Sequence, residues 1–386
     1  MPAAISAPTP PKTKASKLKV LSGTPKDHGF VFPPEWARHS GTWFSWPRPE
    51  GISFPGRYHT VPRAMAAIIR EITPRERVHI NVPNENYERI VREQLIEHGV
   101  PKSHVANRIN FHHIMTNESW CRDHGPAFVV KGTSFAIVDW GFNAWGGKYP
   151  PFDSDDQVPT RIGEAFAASK IKGFAGIFYP RHKGVHVIME GGAVEFSGDG
   201  VVMTSEACLL HKNRNPNLNK RQIETFLKDY YGQEHVLWLG EGIVGDDTDG
   251  HIDDLARFID ARTIVTTVEE DPRDENHAIL RDNLRRLELA RHPDGGRYTI
   301  VTIPMPGVVE IEGQRVPATY ANFYFVNGAL LVPTFGQKKQ EKKALATLQR
   351  ALDACGHKRA VVGIDCSDLI WGLGAIHCLS QQQPLV

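Results

Sequence analysis

Short apolar runs alternate with longer amphipathic stretches along most of this chain, and the two patterns predict different elements. Val78-His-Ile-Asn-Val82 alternates apolar and polar positions with the two-residue period of a strand. Further strands are predicted at Ala127–Val130, Phe135–Val138, His186–Met189, Val201–Met203, Val236–Leu239, Ile264–Val268, Tyr298–Ile303, Tyr324–Val326, Ala329–Val332 and Ala360–Val362. Helices are predicted from Tyr58 to Ile72, where Ala64, Ala66, Ala67, Ile68 and Ile69 supply short apolar residues, and from Tyr87 to His98, stopped by Gly99. Three more follow, over about 217–230, just after Pro216, and over about 272–289 and 337–353.

Short strands interspersed with longer helices give an α/β fold class. The first stretch, residues 1–28, is rich in Pro, Ala and Lys near its start and reads as a flexible leader. It has no apolar core of a secretory signal, and it lacks the arginines of a transit peptide. From 29 to 386 no long linker interrupts the pattern, which predicts a single domain made of several similar strand–helix units. No G-x-G-x-x-G opens a helix after a strand and no Walker motif occurs, so a nucleotide cofactor is not expected.

Lys plus Arg (45) nearly cancels Asp plus Glu (44), which gives no support to a nucleic-acid surface. No apolar run approaches the roughly 18 residues of a membrane span. Cys121, Cys208, Cys355, Cys366 and Cys378 are scattered, odd in number and without a CxxC pair, as in a protein of a reducing, cytoplasmic setting with free thiols.

Candidate chemistry gathers at four places. The C-terminal run from Trp371 to Pro384 is glycine-rich, apolar and nearly uncharged, so it is expected to fold back onto the protein with Cys378 on it. Gly245-Asp-Asp-Thr-Asp-Gly-His251-Ile-Asp253-Asp254 is the densest polar stretch, and it fails the order of an EF-hand loop. In an extended segment His251 and Asp253 would share a face, the imidazole suited to proton transfer and the carboxylate to a cation. A solvated acidic turn is the alternative. Trp120 and Asp123 stand in an apparent loop before a strand, an aromatic face beside a carboxylate that suits a planar cation. Glu190 is expected at the end of a strand, where sites in α/β sheets gather.

Pro34-Glu-Trp36, Thr42-Trp-Phe-Ser-Trp-Pro47, Trp120-Cys-Arg-Asp-His-Gly-Pro126, Asn143-Ala-Trp-Gly-Gly147, Glu190-Gly-Gly192 and Asn213-Arg-Asn-Pro216 occur in that order. Thr248-Asp-Gly-His-Ile-Asp253, Tyr320-Ala-Asn-Phe-Tyr324 and Ile376-His-Cys378 with Gln381-Gln-Gln-Pro384 follow. Through these motifs the chain resembles the agmatine deiminase family, related to the bacterial-type peptidyl-arginine deiminases. The resemblance implies a pentein fold, an α/β propeller of five pseudo-repeated ββαβ units around a central active site, and often a homo-oligomer. It implies Cys378 as nucleophile, His251 as general acid and base, and Asp123 and Asp253 as the carboxylates that grip a guanidinium. Glu190 would lie close by and Trp120 would line the pocket. Neither metal nor organic cofactor is implied, and the partner would be a small guanidine, agmatine, converted to N-carbamoylputrescine and ammonia.

Two departures from the family pattern bear on specificity. Asp247 stands where Glu is usual, and a carboxylate there would read the distal ammonium of agmatine. Gly372-Leu-Gly-Ala375 replaces a more typical Gly-Gly-Gly-Asn, so Leu373 would narrow or stiffen that loop. Free arginine or peptidyl-arginine is the alternative substrate, and a non-catalytic pentein-fold binding protein is the alternative class. His377, next to a catalytic Cys378 in an extended tail, would point away as a hydrogen-bonded packing residue, and the other four cysteines are expected to be structural.

Overall fold

The computed structural model describes residues 17–386. Helix Val61–Ile72 illustrates how the pattern becomes structure. Its Val61, Ala64, Met65, Ile68, Ile69 and Ile72 recur at spacings of three and four, fall on one face and are buried. Pro62 sits in its first turn, where the missing N–H costs no hydrogen bond. Helix Lys220–Tyr231 starts on a capping box of Asn219 and Gln222 and stops at Gly232, which is left-handed.

One arrangement of strands recurs five times among the described residues. Each time an antiparallel pair is followed by a helical crossover to a parallel strand. The sets are Ala127–Lys131, Ser134–Val138 and Phe174–Phe178; then Val194–Phe196, Val201–Ser205 and His235–Leu239. They continue with Ala256–Phe258, Thr263–Val268 and Thr299–Pro304, and with Tyr324–Val326, Ala329–Thr334 and Ala360–Asp365. The fifth set joins the two ends of the chain. Gln381–Pro384 pairs antiparallel with His39–Ser45, which pairs in parallel with Arg77–Val82, and Ile109–His113 extends that sheet. These are separate small sheets in a mixed α/β fold.

Most predicted elements lie where the pattern puts them, within a few residues. His186–Met189 differs. Only Val185–His186 belongs to a strand, in a two-residue ladder with Arg181–His182. The side chain of Asn215 takes the N–H and the carbonyl of Ile188 (3.0 and 2.8 Å), in place of a neighbouring strand. Glu190 therefore follows an irregular segment rather than a strand end. The helix expected from 272 begins at Asn276, because Asp271 and Asp274 fold the preceding residues into turns.

Of the expected leader, residues 1–16 lie outside the described residues. From Lys17 onward the chain is tied down: Leu21 donates to Ile177 (2.8 Å) and Lys26 pairs with Glu234 (2.9 Å), so the folded part begins before position 29. The C-terminal run does fold back, though not as an extended tail. Ile376–Leu379 forms a helical turn, closed by Ser380 Oγ on the Ile376 carbonyl (2.8 Å), and only Gln381–Pro384 is a strand. No helix among the described residues is long and apolar enough to cross a membrane.

Candidate active site

Tight turns that precede the first strand of each set come together. Cys121–His124 precedes Ala127–Lys131, Gly191–Ala193 precedes Val194–Phe196, Ile252–Asp254 precedes Ala256–Phe258, and Ile376–Leu379 precedes Gln381–Pro384. Thr319 to Asn322 fill the same place before Tyr324–Val326. Asp123 is thus in a helical turn, not a loop, and Asp253 is in a 3-10 turn, not an extended segment. The expected face shared by His251 and Asp253 through extended geometry does not form. Asp246 is the cause: its carboxylate accepts from the N–H groups of Thr248, Gly250 and His251 (2.8, 2.9 and 3.2 Å) and wraps the acidic stretch into a turn.

A cavity of about 220 Å³ opens at these turns. Its wall carries Trp120, Asp123, Trp145, Tyr149, Asp247, Leu373 and Cys378, with Glu118, Gln314 and Trp371 also contributing. His251, Asp253 and Glu190 are not on the wall. They are buried against it: His251 Nδ1 lies 3.7 Å from Asp123 Oδ1, and the Cys378 thiol points at Asp253 Oδ2 across 3.7 Å. Glu190 accepts from Arg214 Nε (2.8 Å), and its other oxygen has no hydrogen-bond partner. Cys378 Sγ also receives Nδ2–H of Asn322 at 3.0 Å.

Each wall residue is placed by local geometry. Asn117 and Glu118 donate their N–H groups to Asp155, which fixes the approach to Trp120 (2.7 and 3.1 Å). Trp120 donates to Ser53 Oγ (2.8 Å), and its ring stands against Gly372 and Gly374 of the glycine-rich loop. A Cβ at Gly374 would come within 2.5 Å of that ring, so only glycine permits the contact. Ala144, Trp145, Gly146 and Gly147 are four consecutive left-handed residues. That rare run, capped by Asn143 on the Gly146 N–H (2.9 Å), drives the Trp145 indole inward to donate to Asp123 Oδ2 at 3.0 Å. Leu373 is left-handed as well, φ 67°, at a position where a glycine would be unstrained.

The electrostatics follow from burying several carboxylates together. Burial pushes Asp123 up to about 6, Asp253 and Glu190 add to the rise, and His251 and the Trp145 N–H oppose it. Burial alone would lower His251, but Asp123, the Cys208 thiol and Asp253 hold its imidazole well above its ordinary range. Burial raises the Cys378 thiol well above its ordinary value, and Asp253, Asp254 and Asp123 raise it further. Asp253 stays below the usual carboxylate range despite burial, because of the His377 hydrogen bond and the charges of His377, His251 and Arg257. In the free site these directions favour the thiol of Cys378, the protonated ring of His251 and the ionised carboxylate of Asp253.

Two trios bring ligand atoms within 4.8 Å of one another: Glu190, Cys208 and His251, and Asp253, Asp254 and Cys378. Arg214 already neutralises Glu190 in the first, and Asn322 donates to both Asp254 and Cys378 in the second. Hydrogen bonding within the protein thus engages both. Cys208 is more than core filling, since it touches His251.

Several residues of the site were not singled out by sequence reasoning. Trp145, Asn322 and Arg214 lie inside the family motifs, as does Glu35 between Pro34 and Trp36. A buried polar residue within an apolar motif is the signal that marks them. His377 is buried and hydrogen-bonded: its Nδ1 meets Asp253 Oδ2 at 2.6 Å and its Nε2 meets Glu35 Oε2 at 2.7 Å.

Known proteins share this framework. An agmatine deiminase from Ectopseudomonas mendocina is 33% identical over 391 residues, covering 95% of this chain and 99% of its own. Among solved structures, agmatine deiminase of Enterococcus faecalis superposes with a TM-score of 0.82 at 29% identity, covering 96% of this chain and all (100%) of its own. Agmatine deiminase of C. jejuni with substrate bound gives 0.78 at 29% identity, covering 92% and 96%. Residues 31–384 match the model of one family along nearly the whole described chain, and this protein belongs to it: the Porphyromonas-type peptidyl-arginine deiminases.

Proposed function

We propose that this protein is an agmatine deiminase, hydrolysing agmatine to N-carbamoylputrescine and ammonia. One observation carries the substrate choice. The cavity wall holds Asp123, Asp247, Glu118 and four aromatic residues, Trp120, Trp145, Tyr149 and Trp371, and no lysine or arginine. Such a wall favours a molecule that is cationic at both ends. The carboxylate of free arginine would meet the acidic groups of that wall. The names of the similar proteins agree with this reading.

In this mechanism Asp123 and Asp253 clamp the guanidinium N–H groups in its plane and hold its carbon beside sulfur. Trp145 and the Gly192 N–H hold the two oxygens of Asp123 (3.0 Å each), so the clamp is set before substrate arrives. The arriving cation offsets the negative charge that keeps Cys378 protonated, and the thiolate forms as the thiol proton passes to solvent. Sulfur attacks the guanidinium carbon, and His251 donates the proton with which ammonia leaves. The S-alkylthiouronium is then attacked by water, whose proton His251 accepts. The C–S bond breaks, returning the sulfur and releasing the ureido product. Glu190 acts through its charge on Asp123, and Asp247 holds the distal ammonium. Neither metal nor cofactor takes part.

The reading extends to the whole molecule. The described residues, 17–386, form one catalytic domain, whose five strand sets ring the site about a pseudo-fivefold axis, each offering its first turn to the centre. The protein works as a homo-oligomer in the cytoplasm, where its five thiols stay reduced.

The decisive assay follows ammonia and ureido product from agmatine, arginine and an arginyl peptide in parallel, with Cys378→Ala as control. Turnover is expected with agmatine, lost in the variant. Faster turnover of the arginyl peptide would move the substrate and keep the chemistry. No turnover of any guanidine by folded protein would leave a binding protein on this fold.

A further inference from the structure

Behind the cavity, His377 is buried between two carboxylates that come from distant parts of the chain. Its Nδ1 lies 2.6 Å from Asp253 Oδ2 and its Nε2 lies 2.7 Å from Glu35 Oε2. Glu35 is itself anchored on every side: Oε1 accepts from the Phe325 N–H (2.8 Å), and Oε2 faces Arg122 Nη2 (3.3 Å) and Arg257 Nη2 (3.0 Å). Ionised carboxylates only accept hydrogen bonds, so a ring bonded to one at each nitrogen must carry a hydrogen on both.

We infer that His377 is the positioning residue for Asp253, a ring bonded to a carboxylate at each nitrogen that fixes Asp253 beside Cys378. This rests on the deiminase reading, in which Asp253 grips the guanidinium. The charges around the ring close on that assignment. Arg122, Arg257 and His377 face Glu35, Glu195 and Asp253, and all six side chains are buried. Glu195 takes the Arg257 Nε–H (2.8 Å) and the Phe258 N–H (3.1 Å), which leaves Arg257 oriented toward Glu35.

The backbone adds to the same alignment. The His377 N–H donates to Asn322 Oδ1 (3.0 Å), while Asn322 Nδ2 donates to Cys378 Sγ (3.0 Å) and to Asp254 Oδ1 (3.0 Å). His377 thus ties the nucleophile's turn to the Asp253 turn through its main chain and its ring. Only Oδ2 of Asp253 is engaged by the ring, and Oδ1 has no hydrogen-bond partner, which leaves it for a guanidinium N–H.

The test compares His377→Asn and His377→Gln in the full chain, with activity expressed per thiol titrated by a haloacetamidine. An asparagine amide reaches Asp253 from the Nδ1 position, whereas a glutamine amide reaches toward Glu35 and leaves Asp253 unheld. The glutamine variant is expected to lose about 100-fold in kcat/KM, with KM for agmatine raised, and the asparagine variant to keep most of that loss from occurring. A glutamine variant with wild-type kcat and KM per active thiol overturns the inference. Should either variant fail to fold, neutron diffraction of the wild-type protein decides. Deuterium on both Nδ1 and Nε2 of His377 is expected, and a single deuterium overturns it. The wild-type turnover assay separates the two readings: no turnover of any guanidine would sink the deiminase reading, while the neutron map would still decide the bridge.

Discussion

Trp145 donates its indole N–H to Asp123 Oδ2 at 3.0 Å, and it reaches that carboxylate only because its backbone is left-handed. A tryptophan held at φ 55° is strained, and strain of this kind persists where the surroundings impose it. Replacing Trp145 with Phe keeps the ring and deletes one donor to a buried carboxylate. The expected result is a KM for agmatine raised by about tenfold with little change in kcat. Steady-state kinetics of Trp145→Phe check this, and an unchanged KM would remove the indole from the clamp.

The same carboxylate sets an acid limb. Asp123 is raised to about 6, so below that pH it is protonated and pairs poorly with a guanidinium. Its useful form is the ionised one, and kcat/KM for agmatine should fall as pH drops through about 6. The groups facing Asp123 are His251, Asp253, Glu190 and Trp145. His251 lies well above its ordinary range, so its deprotonation belongs to the basic side of the profile. Because the Trp145 N–H lowers Asp123, Trp145→Phe should move the acid limb to higher pH. A profile flat from neutral down to pH about 5 would contradict the assignment.

Charge also governs the Cys378 thiol. With Asp253, Asp254 and Asp123 around it, the Cys378 thiol is raised well above its ordinary value, so it should resist a neutral alkylating agent at neutral pH. A haloacetamidine carries the cation that the site lacks and should label Cys378 faster than iodoacetamide by roughly tenfold or more. Agmatine should protect against it. Peptide mapping identifies the labelled thiol, since Cys121, Cys208 and Cys366 are buried and Cys355 is half-buried. Equal rates with both reagents would mean that the thiolate forms without help from a bound cation.

The pattern of the chain carries the elements well and the site unevenly. Periodicity finds Val61–Ile72 and its buried face because a single rule, apolar residues on one side, generates both. It misplaces His186–Met189 because a side chain, Asn215, supplies the pairing that a strand would supply. Cys378, His251, Asp123 and Asp253 were legible only through motifs, and periodicity misjudged the geometry of two of them. Extended alternation was expected at His251 and in the tail, where turns closed by Asp246 and Ser380 stand instead. Glu35 was invisible for a different reason. It lies 342 residues from His377, and no local pattern reports a contact over that separation.

Leu373 tests how the mouth of the cavity is shaped. Its left-handed backbone costs about 1 kcal/mol relative to glycine, and its side chain narrows the wall. Leu373→Gly relieves the strain but loosens the unfolded chain and removes apolar contacts. Thermal unfolding should therefore shift little. The opened wall should raise turnover of N-substituted guanidines bulkier than agmatine. A variant with an unaltered substrate range would assign the narrowing to Trp371 or Trp120 instead.

In the proposed function Asp247 reads the tail of the substrate. Burial raises its carboxyl, while the Tyr149 hydroxyl donates to Oδ2 and lowers it, and Lys148 stands nearby. Asp247 is one methylene shorter than the glutamate expected there, and the Tyr149 hydrogen bond fixes where its charge sits. Asp247→Asn should raise KM for agmatine by about 10-fold or more, the loss of a charge-assisted hydrogen bond. The comparison substrate is butylguanidine, which has the same reacting group and no distal ammonium. Its KM should be unaffected by the substitution, since Asp123 and Asp253 are untouched. Equal loss on both substrates would place Asp247 in the support of the turn that carries His251. Loss on agmatine alone would tie the acidic end of the cavity to the distal ammonium, and with it the preference for agmatine over arginine.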